Sequence, residues 1–316
     1  MGVGLGRRVG YPPNVPAAPT LSLDTLQAVS WRIRPHLSRG RGELLTGVLA
    51  EEGELLGAFQ RSLPGTWTRR TGGPSLRIAH GTVYLALRLA TSDALLPCTP
   101  SQIVNRYVRP LLRALTKVGK PASYFGRDWV SIAKTPVAWV GFAHHSETGE
   151  ALFEAFVGVD TPFSEPRDSF LGKVPVALSQ LLGRPIDAGA LAADIAEAYM
   201  AEYGKYLTVL GEGELSQERE GASVPRLSAW SSVVSDAIGD VCATRDSGGI
   251  VRIGGDLMAS EDAVARFEDG LSKLGEQANA DAIVELARHV FLDPKVALSG
   301  ARPESIAFVA TQAMKG

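Results

Sequence analysis

Between positions 129 and 159 three apolar runs stand close together, separated by short polar turns, and no other stretch of this chain restricts its fold so tightly. Positions 129–132 and 137–144 flank the turn Ala133-Lys134-Thr135-Pro136, and 151–159 follows after a second polar turn. β-branched and aromatic residues in such runs suit a pleated surface, and short connections make neighbours antiparallel. A sheet is therefore expected here. Positions 83–89 alternate as a further strand, and 42–60 reads as two strands around Glu51-Glu52-Gly53-Glu54, a hairpin with Leu44, Leu45, Val48 and Leu49 before the turn and Leu55, Leu56 and Phe59 after it. Helical spacing appears weakly at 21–37 and clearly at 101–118, through Ile103, Val104, Tyr107, Val108, Leu111, Leu112 and Leu115. It returns at 174–182 and at 188–206, the latter with Asp187 placed to cap it. The expected class is α+β, a mixed β-sheet flanked by helices.

The glycine- and proline-rich positions 1–20 lack apolar periodicity and read as a flexible tail ahead of a main domain at 21–210. Polar positions 211–226, with Glu212, Glu214, Glu218, Arg219 and Glu220, read as a linker. Beyond it, strands at 237–244 and 249–253 around Arg245-Asp246-Ser247-Gly248, then helices at 261–274 and 281–290, make a small α+β domain at 227–316. A net charge of -2 gives no global pull towards nucleic acid or anionic lipid. No run approaches the roughly 20 apolar residues of a membrane span, and prolines stand where a signal peptide needs an apolar stretch. Two distant cysteines, Cys98 and Cys242, form no disulfide framework and point to a reducing, cytoplasmic setting. His144-His145 with Glu147 suggests a metal site, but adjacent strand residues face opposite ways, so no metal is expected.

Arg69-Arg70-Thr71-Gly72-Gly73, followed by Pro74, is the strongest candidate site. Glycines let backbone N–H groups approach a ligand, and arginine offers a rigid fork of donors for carboxylate or phosphate. A small-molecule acid is the implied ligand, a solvated surface turn being the alternative. Cys98 is a candidate thioester nucleophile or a structural thiol, His80 lies near the loop, and Trp129 and Trp139 read as core residues, with Trp129 a possible wall for an acyl pocket.

From about Gly42 onwards this order of parts resembles the lipoate-protein ligases of the biotin and lipoate ligase superfamily and their octanoyltransferase relatives. Leu56-Gly57-Ala58-Phe59-Gln60 resembles the family's strand ending in glycine and glutamine, and Arg69-Arg70-Thr71-Gly72-Gly73 its lipoate-contacting loop. Asn105 matches a helical asparagine, Gly126-Arg127-Asp128 a Gly-Arg-Asn-Asp strand, and Gly141 with Ala143 the end of a Lys-x-x-Gly-x-Ala strand. Gly248-Gly249-Ile250 and Gly255-Asp256-Leu257 are similar to the accessory domain of bacterial ligases. The resemblance implies activation of lipoate or octanoate by ATP with Mg to an acyl-adenylate, then transfer to a lysine of a lipoyl carrier domain, in a 2-oxoacid dehydrogenase or a glycine cleavage protein. It implies substrate contacts from Arg69, Arg70, Thr71, Gly72, Gly73, Gly141 and Ala143, and nucleotide contacts from Arg127 and Asp128. The family lysine falls on Ala138, leaving Lys134 as the nearest replacement; Pro74 replaces a third glycine, and Phe153-Glu154-Ala155 stands for a His-His-Gly. An ATP-independent octanoyl or lipoyl transferase, or a non-catalytic homologue binding an acyl ligand or a lipoyl domain, are the alternatives.

Overall fold

The computed structural model describes residues 18–31, 40–60, 66–164, 173–211, 229–275 and 278–315. Most of the expected tail and of the expected linker lies outside the described residues. In chain order the first part runs β1 (Thr20–Leu21), α1 (Leu23–Trp31), β2 (Gly42–Leu49), β3 (Gly53–Leu56), β4 (Trp67–Thr68), β5 (Leu76–Ile78) and β6 (Val83–Leu89). It continues with α2 (Ile103–Lys117), β7 (Ala122–Tyr124), β8 (Trp129–Ile132), β9 (Thr135–His144), β10 (Ala151–Val157), α3 (Leu178–Leu182), α4 (Ala188–Tyr203) and β11 (Leu207–Val209).

The main sheet has the order β1-β2-β6-β10-β9-β8-β7, with β11 also paired to β2. Its centre is antiparallel, while β1 and β11 join β2 in parallel, so the sheet is mixed. Strand alternation divides its side chains between two faces. On the helix face, Leu44, Leu87, Val140, Phe142 and Phe153 pack against α2 and α4 through Val104, Tyr107, Leu111 and Ile195. On the opposite face, Leu45, Tyr84, Trp139, Ala143 and Phe156 pack with Leu23 and Leu26 of α1 and with Leu55 and Leu76.

The hairpin expected at 42–60 does not form. Both edges of β2 are taken, one by β6 and the other by β1 and β11, so β3 pairs instead with β4 and β5 in a separate small sheet. The helix expected at 174–182 is confined to Leu178–Leu182, because Pro175 disfavours helical backbone at Val174 and the Val176 N–H donates to the Pro136 carbonyl. Asp187 does cap α4, accepting from the Ala190 N–H at 3.0 Å.

The C-terminal part comprises β12 (Ser232–Ser235), β13 (Asp240–Arg245), β14 (Val251–Gly255), β15 (Met258–Ala259), α5 (Glu261–Leu274), α6 (Ala280–Phe291), β16 (Leu298–Ser299) and α7 (Pro303–Lys315). Its three-stranded sheet and three helices share a separate core around Val241, Ile253, Phe267, Phe291 and Ile306. The segment leading into α5 runs beside β9, with Ser260 bridging to His144. That contact brings the C-terminal part to the arginine-glycine loop. No described helix is long and apolar enough to cross a membrane.

Candidate functional site

The arginine-glycine loop lies on the α1 side of the sheet and is closed on all sides by protein. Arg69 is wholly buried, with Nη1 donating to the Leu55 carbonyl at 3.0 Å and Nη2 to the carbonyls of Gly72, at 3.2 Å, and Pro74. Its guanidinium stacks 4.3 Å over the Trp139 ring. These N–H groups bind the loop's own backbone and its neighbour β3. The glycines act likewise: the Gly72 N–H donates to the Phe142 carbonyl at 3.2 Å and the Gly73 N–H to the Leu257 carbonyl at 3.0 Å. A Cβ on Gly72 would stand 2.2 Å from the Leu257 oxygen, and one on Gly57 at 2.2 Å from the Gly73 oxygen. The close approach that glycine permits is used for backbone against backbone.

Arg70 turns the other way. Its Nε donates to Glu261 at 2.7 Å, its Nη1 lies 3.6 Å from Glu150, and its backbone N–H donates to the Ser30 hydroxyl. The side chain is nearly buried, and its charge is neutralised by α5 and by the turn before β10.

Beneath the loop sits Glu154, wholly buried in β10 between Ala86 of β6 and Gly141 of β9. The Thr71 hydroxyl donates to it at 2.5 Å, the Tyr84 hydroxyl donates to its other oxygen, and Ser30 adds a third hydrogen bond. Burial outweighs these donors and pushes its carboxyl above the usual range. A lone glutamate inside the apolar run Ala151-Leu152-Phe153-Glu154-Ala155-Phe156-Val157 was the available sequence signal for this network. Beside it the Trp139 indole lies over Gly141, so close that a Cβ there would come within 2.2 Å of the ring. Trp139, Phe156 and Tyr84, with centroids 5.8 and 5.1 Å apart, form an aromatic layer that occupies this face, with Ala143 at its margin.

Asp128 is completely buried just before β8, while the Arg127 guanidinium stacks 4.7 Å over Trp129 with its Nε 3.8 Å from the carboxylate. Desolvation raises the Asp128 pKa to about 7 against the opposing pull of Arg127 and Arg69. Trp129 is a core residue of the loop-side face. Lys134 occupies the tip of the β8–β9 hairpin with φ of 65°, next to Ala133 at 50°. It precedes Trp139 by five residues and Phe142 by eight, roughly 16 and 26 Å along an extended strand. That spacing along the strand separates the hairpin tip from the residues that meet the loop. Ala138 is buried in the helix-face core.

The fold thus brings Arg69, Arg70, Thr71, Gly72, Gly73, Gly141 and Ala143 together, places Arg127 and Asp128 at the neighbouring strand, and leaves Lys134 apart. Cys98 is half-buried and its thiol is pushed up to about 11, chiefly by burial, which withholds the thiolate a nucleophile needs. His144 donates or accepts at Ser260 Oγ, 2.8 Å away, and burial lowers its pKa to about 4. His145 instead faces Asp262 at 4.0 Å, and no group of metal-ligating side chains forms among the described residues.

The Gly72 and Gly73 N–H groups and the terminal nitrogens of the Arg69 fork already hold protein carbonyls.

No protein family matches the chain by sequence, and no curated protein does so. Solved structures do match. Plasmodium falciparum LipL1 in complex with lipoate aligns with 93% of this chain and 92% of its own at 11% identity and a TM-score of 0.55. The bipartite lipoate protein ligase of Thermoplasma acidophilum, described with its E2 lipoyl domain, covers 63% of this chain and 89% of its own at 13% identity and a TM-score of 0.46. Biotin protein ligase of Leishmania major in complex with biotin covers 77% and 99%, at 14% identity and a TM-score of 0.35. Of these three, the likeness to LipL1 carries the fold argument. The chain is a divergent carrier of the biotin/lipoate ligase fold, α+β in class with a mixed sheet flanked by helices.

Proposed function

We propose that this chain binds a lipoate- or octanoate-type acyl group, presented by a lipoyl carrier domain, without activating it through ATP. One observation carries the reading: the main donors of the arginine-glycine loop are bonded within the protein. The Gly72 and Gly73 N–H groups hold the Phe142 and Leu257 carbonyls, and Arg69 holds three more. Catalysis of this type rests on preorganised donors aimed at developing charge, and these donors are aimed elsewhere. The ligand class is inferred from the lipoate-bound LipL1, whose fold the chain shares along most of its length. The division into 21–210 and 227–316 and a cytoplasmic setting belong to the same proposal.

An ATP-dependent ligase is the second reading, favoured by the gathering of Arg69, Arg70, Thr71, Gly72, Gly73, Gly141 and Ala143 on one sheet face from segments far apart in sequence. Two measurements on the full chain decide between them: lipoate-dependent exchange of pyrophosphate into ATP with Mg, and binding of apo, octanoyl and lipoyl carrier domains by calorimetry. The expected result is carrier binding that favours the acylated forms, with exchange at the no-enzyme level. Exchange above that level establishes the ligase and removes the binding-only reading. Failure of both overturns the acyl assignment itself.

A further inference from the structure

Helix α2 carries Arg106, Arg109, Arg113 and Lys117, spaced i, i+3, i+7 and i+11, and no acidic residue. At 3.6 residues per turn this spacing keeps the four side chains on one stripe about 16 Å long. The opposite face belongs to the core, where Ile103, Val104, Tyr107, Val108, Leu111 and Leu115 are buried. Arg109, Arg113 and Lys117 are exposed, and Arg106 is half-buried. The stripe works against the helix that bears it. Arg109 with Arg113, and Arg113 with Lys117, are like charges at i,i+4 and repel, and Arg106 stands in the first turn, where the helix dipole disfavours a cation. Of the four, only Arg113 is neutralised, by Glu202 of α4 at 2.7 Å on the surface. Arg106, Arg109 and Lys117 form no ion pair among the described residues.

A basic stripe left without counter-charges suits an anionic partner, and its surroundings select which kind. α4 packs beside α2, the Tyr199 hydroxyl donating to the Tyr107 carbonyl, and it carries Asp194, Glu197 and Glu202 but no basic residue. A nucleic-acid duplex or a lipid surface extends well past one helix and meets these carboxylates, whereas a compact protein with an acidic face of matching length does not. α2 also exposes no large apolar side chain for insertion into lipid. At the N-terminal end of the stripe lies a cavity of about 320 Å³ lined by Ser101, Val104, Asn105, Tyr124, Phe142 and Ser299. Its size falls at the lower end of ligand pockets. No charged side chain lines it, so it suits a neutral, amide-linked arm rather than a free carboxylate.

We propose that the basic stripe of α2 is the docking surface for the carrier domain, which it meets through an acidic face on that partner. This assignment rests on the carrier-binding reading above and names the surface that reading needs. The charges steer and orient the partner, and the cavity stands beside the end of the stripe that an arm on the docked domain reaches.

The test uses the full chain and a lipoyl carrier domain carrying its lipoyl group, in calorimetric titrations at low and at physiological salt. Arg109→Glu with Lys117→Glu reverses the stripe at two exposed positions, and Lys295→Glu with Lys315→Glu makes the same change of net charge on the C-terminal part. Native circular dichroism is required of both. The expected result is carrier binding that weakens with salt, falls at least about fivefold in the α2 variant and stays within about twofold of the parent in the control. Equal affinity of parent and α2 variant, an equal fall in both variants, or binding indifferent to salt overturns the docking surface while leaving carrier binding in place. Tighter binding of a 16-base-pair DNA duplex or of phosphatidylserine vesicles, lost in the α2 variant, overturns it in favour of a polyanion. If the parent binds no form of the carrier, the carrier-binding reading itself falls, and this surface falls with it.

Discussion

Replacing Arg69 with methionine separates a structural strut from a ligand-holding arginine. In the fold its guanidinium serves three buried carbonyls, those of Leu55, Gly72 and Pro74, and stacks on Trp139. Each carbonyl left buried without a donor costs about 1–3 kcal/mol. The stacked cation adds about 1 kcal/mol. Methionine returns part of this by burying apolar surface and by removing the desolvation cost of the charge, and loosening of the loop admits water to at least one carbonyl. The expected net loss is about 3–6 kcal/mol, a large share of the roughly 5–15 kcal/mol of a typical domain. Urea titration followed by tryptophan fluorescence measures it as a fall in midpoint at unchanged slope. Trp139 also makes the loop environment visible in that signal. Arg70→Met, which removes a partly buried ion pair with Glu261, serves as the comparison and costs less, about 1–2 kcal/mol. If Arg69→Met changes stability by under about 1 kcal/mol while weakening acyl-ligand binding, Arg69 holds ligand and the strut reading is wrong.

Three further outcomes follow from the same geometry. Gly72→Ala drives a methyl against the Leu257 oxygen, which is backbone and cannot rotate away, so it costs about 1–3 kcal/mol and increases amide exchange at Gly73, whose N–H donates to that oxygen. The pair Ala133→Asn with Lys134→Gly puts residues suited to positive φ at the hairpin tip and stabilises by about 1 kcal/mol in thermal unfolding, with acyl-ligand binding unchanged because Lys134 stands apart from the loop. Glu154 has a raised pKa in the fold, so between the ordinary carboxylate range and that higher value the unfolded chain binds fewer protons than the native one. Its contribution is therefore present at low pH and lost as pH rises. The cost of Glu154→Gln measured by denaturation should be larger at pH 4 than at pH 8; the reverse order would show that the site stabilises an ionised glutamate.

Much of the architecture was legible because local pattern and final environment agree. The strands at 83–89, 129–132 and 151–157 and the helices at 103–117 and 261–274 carry apolar spacings that match the faces they bury. Where local pattern misled, a partner had taken the place. The strands before and after Glu51 exist, but β2 is saturated on both edges, so the expected hairpin gives way to two separate sheets. At β12 a four-residue Ser-Val-Val-Ser run is too short for a periodic signal, and it stands as a strand because it pairs with β13.

The candidate site divides in the same way. That Arg69-Arg70-Thr71-Gly72-Gly73 is a tight turn with strong donors follows from residue types alone, as does the absence of a lysine at Ala138. What those donors hold does not follow, because hydrogen bonds are satisfied by whatever the fold brings within about 3 Å. The Leu257 carbonyl is supplied from almost two hundred residues away, Phe142 from seventy, and the carboxylate beneath the loop from β10. Local chemistry in the chain therefore determined which groups are available and which backbone shapes they permit. Tertiary contact alone decided that the arginine-glycine loop is closed on its own protein, since burial leaves every N–H and carbonyl to the nearest partner, however distant in sequence.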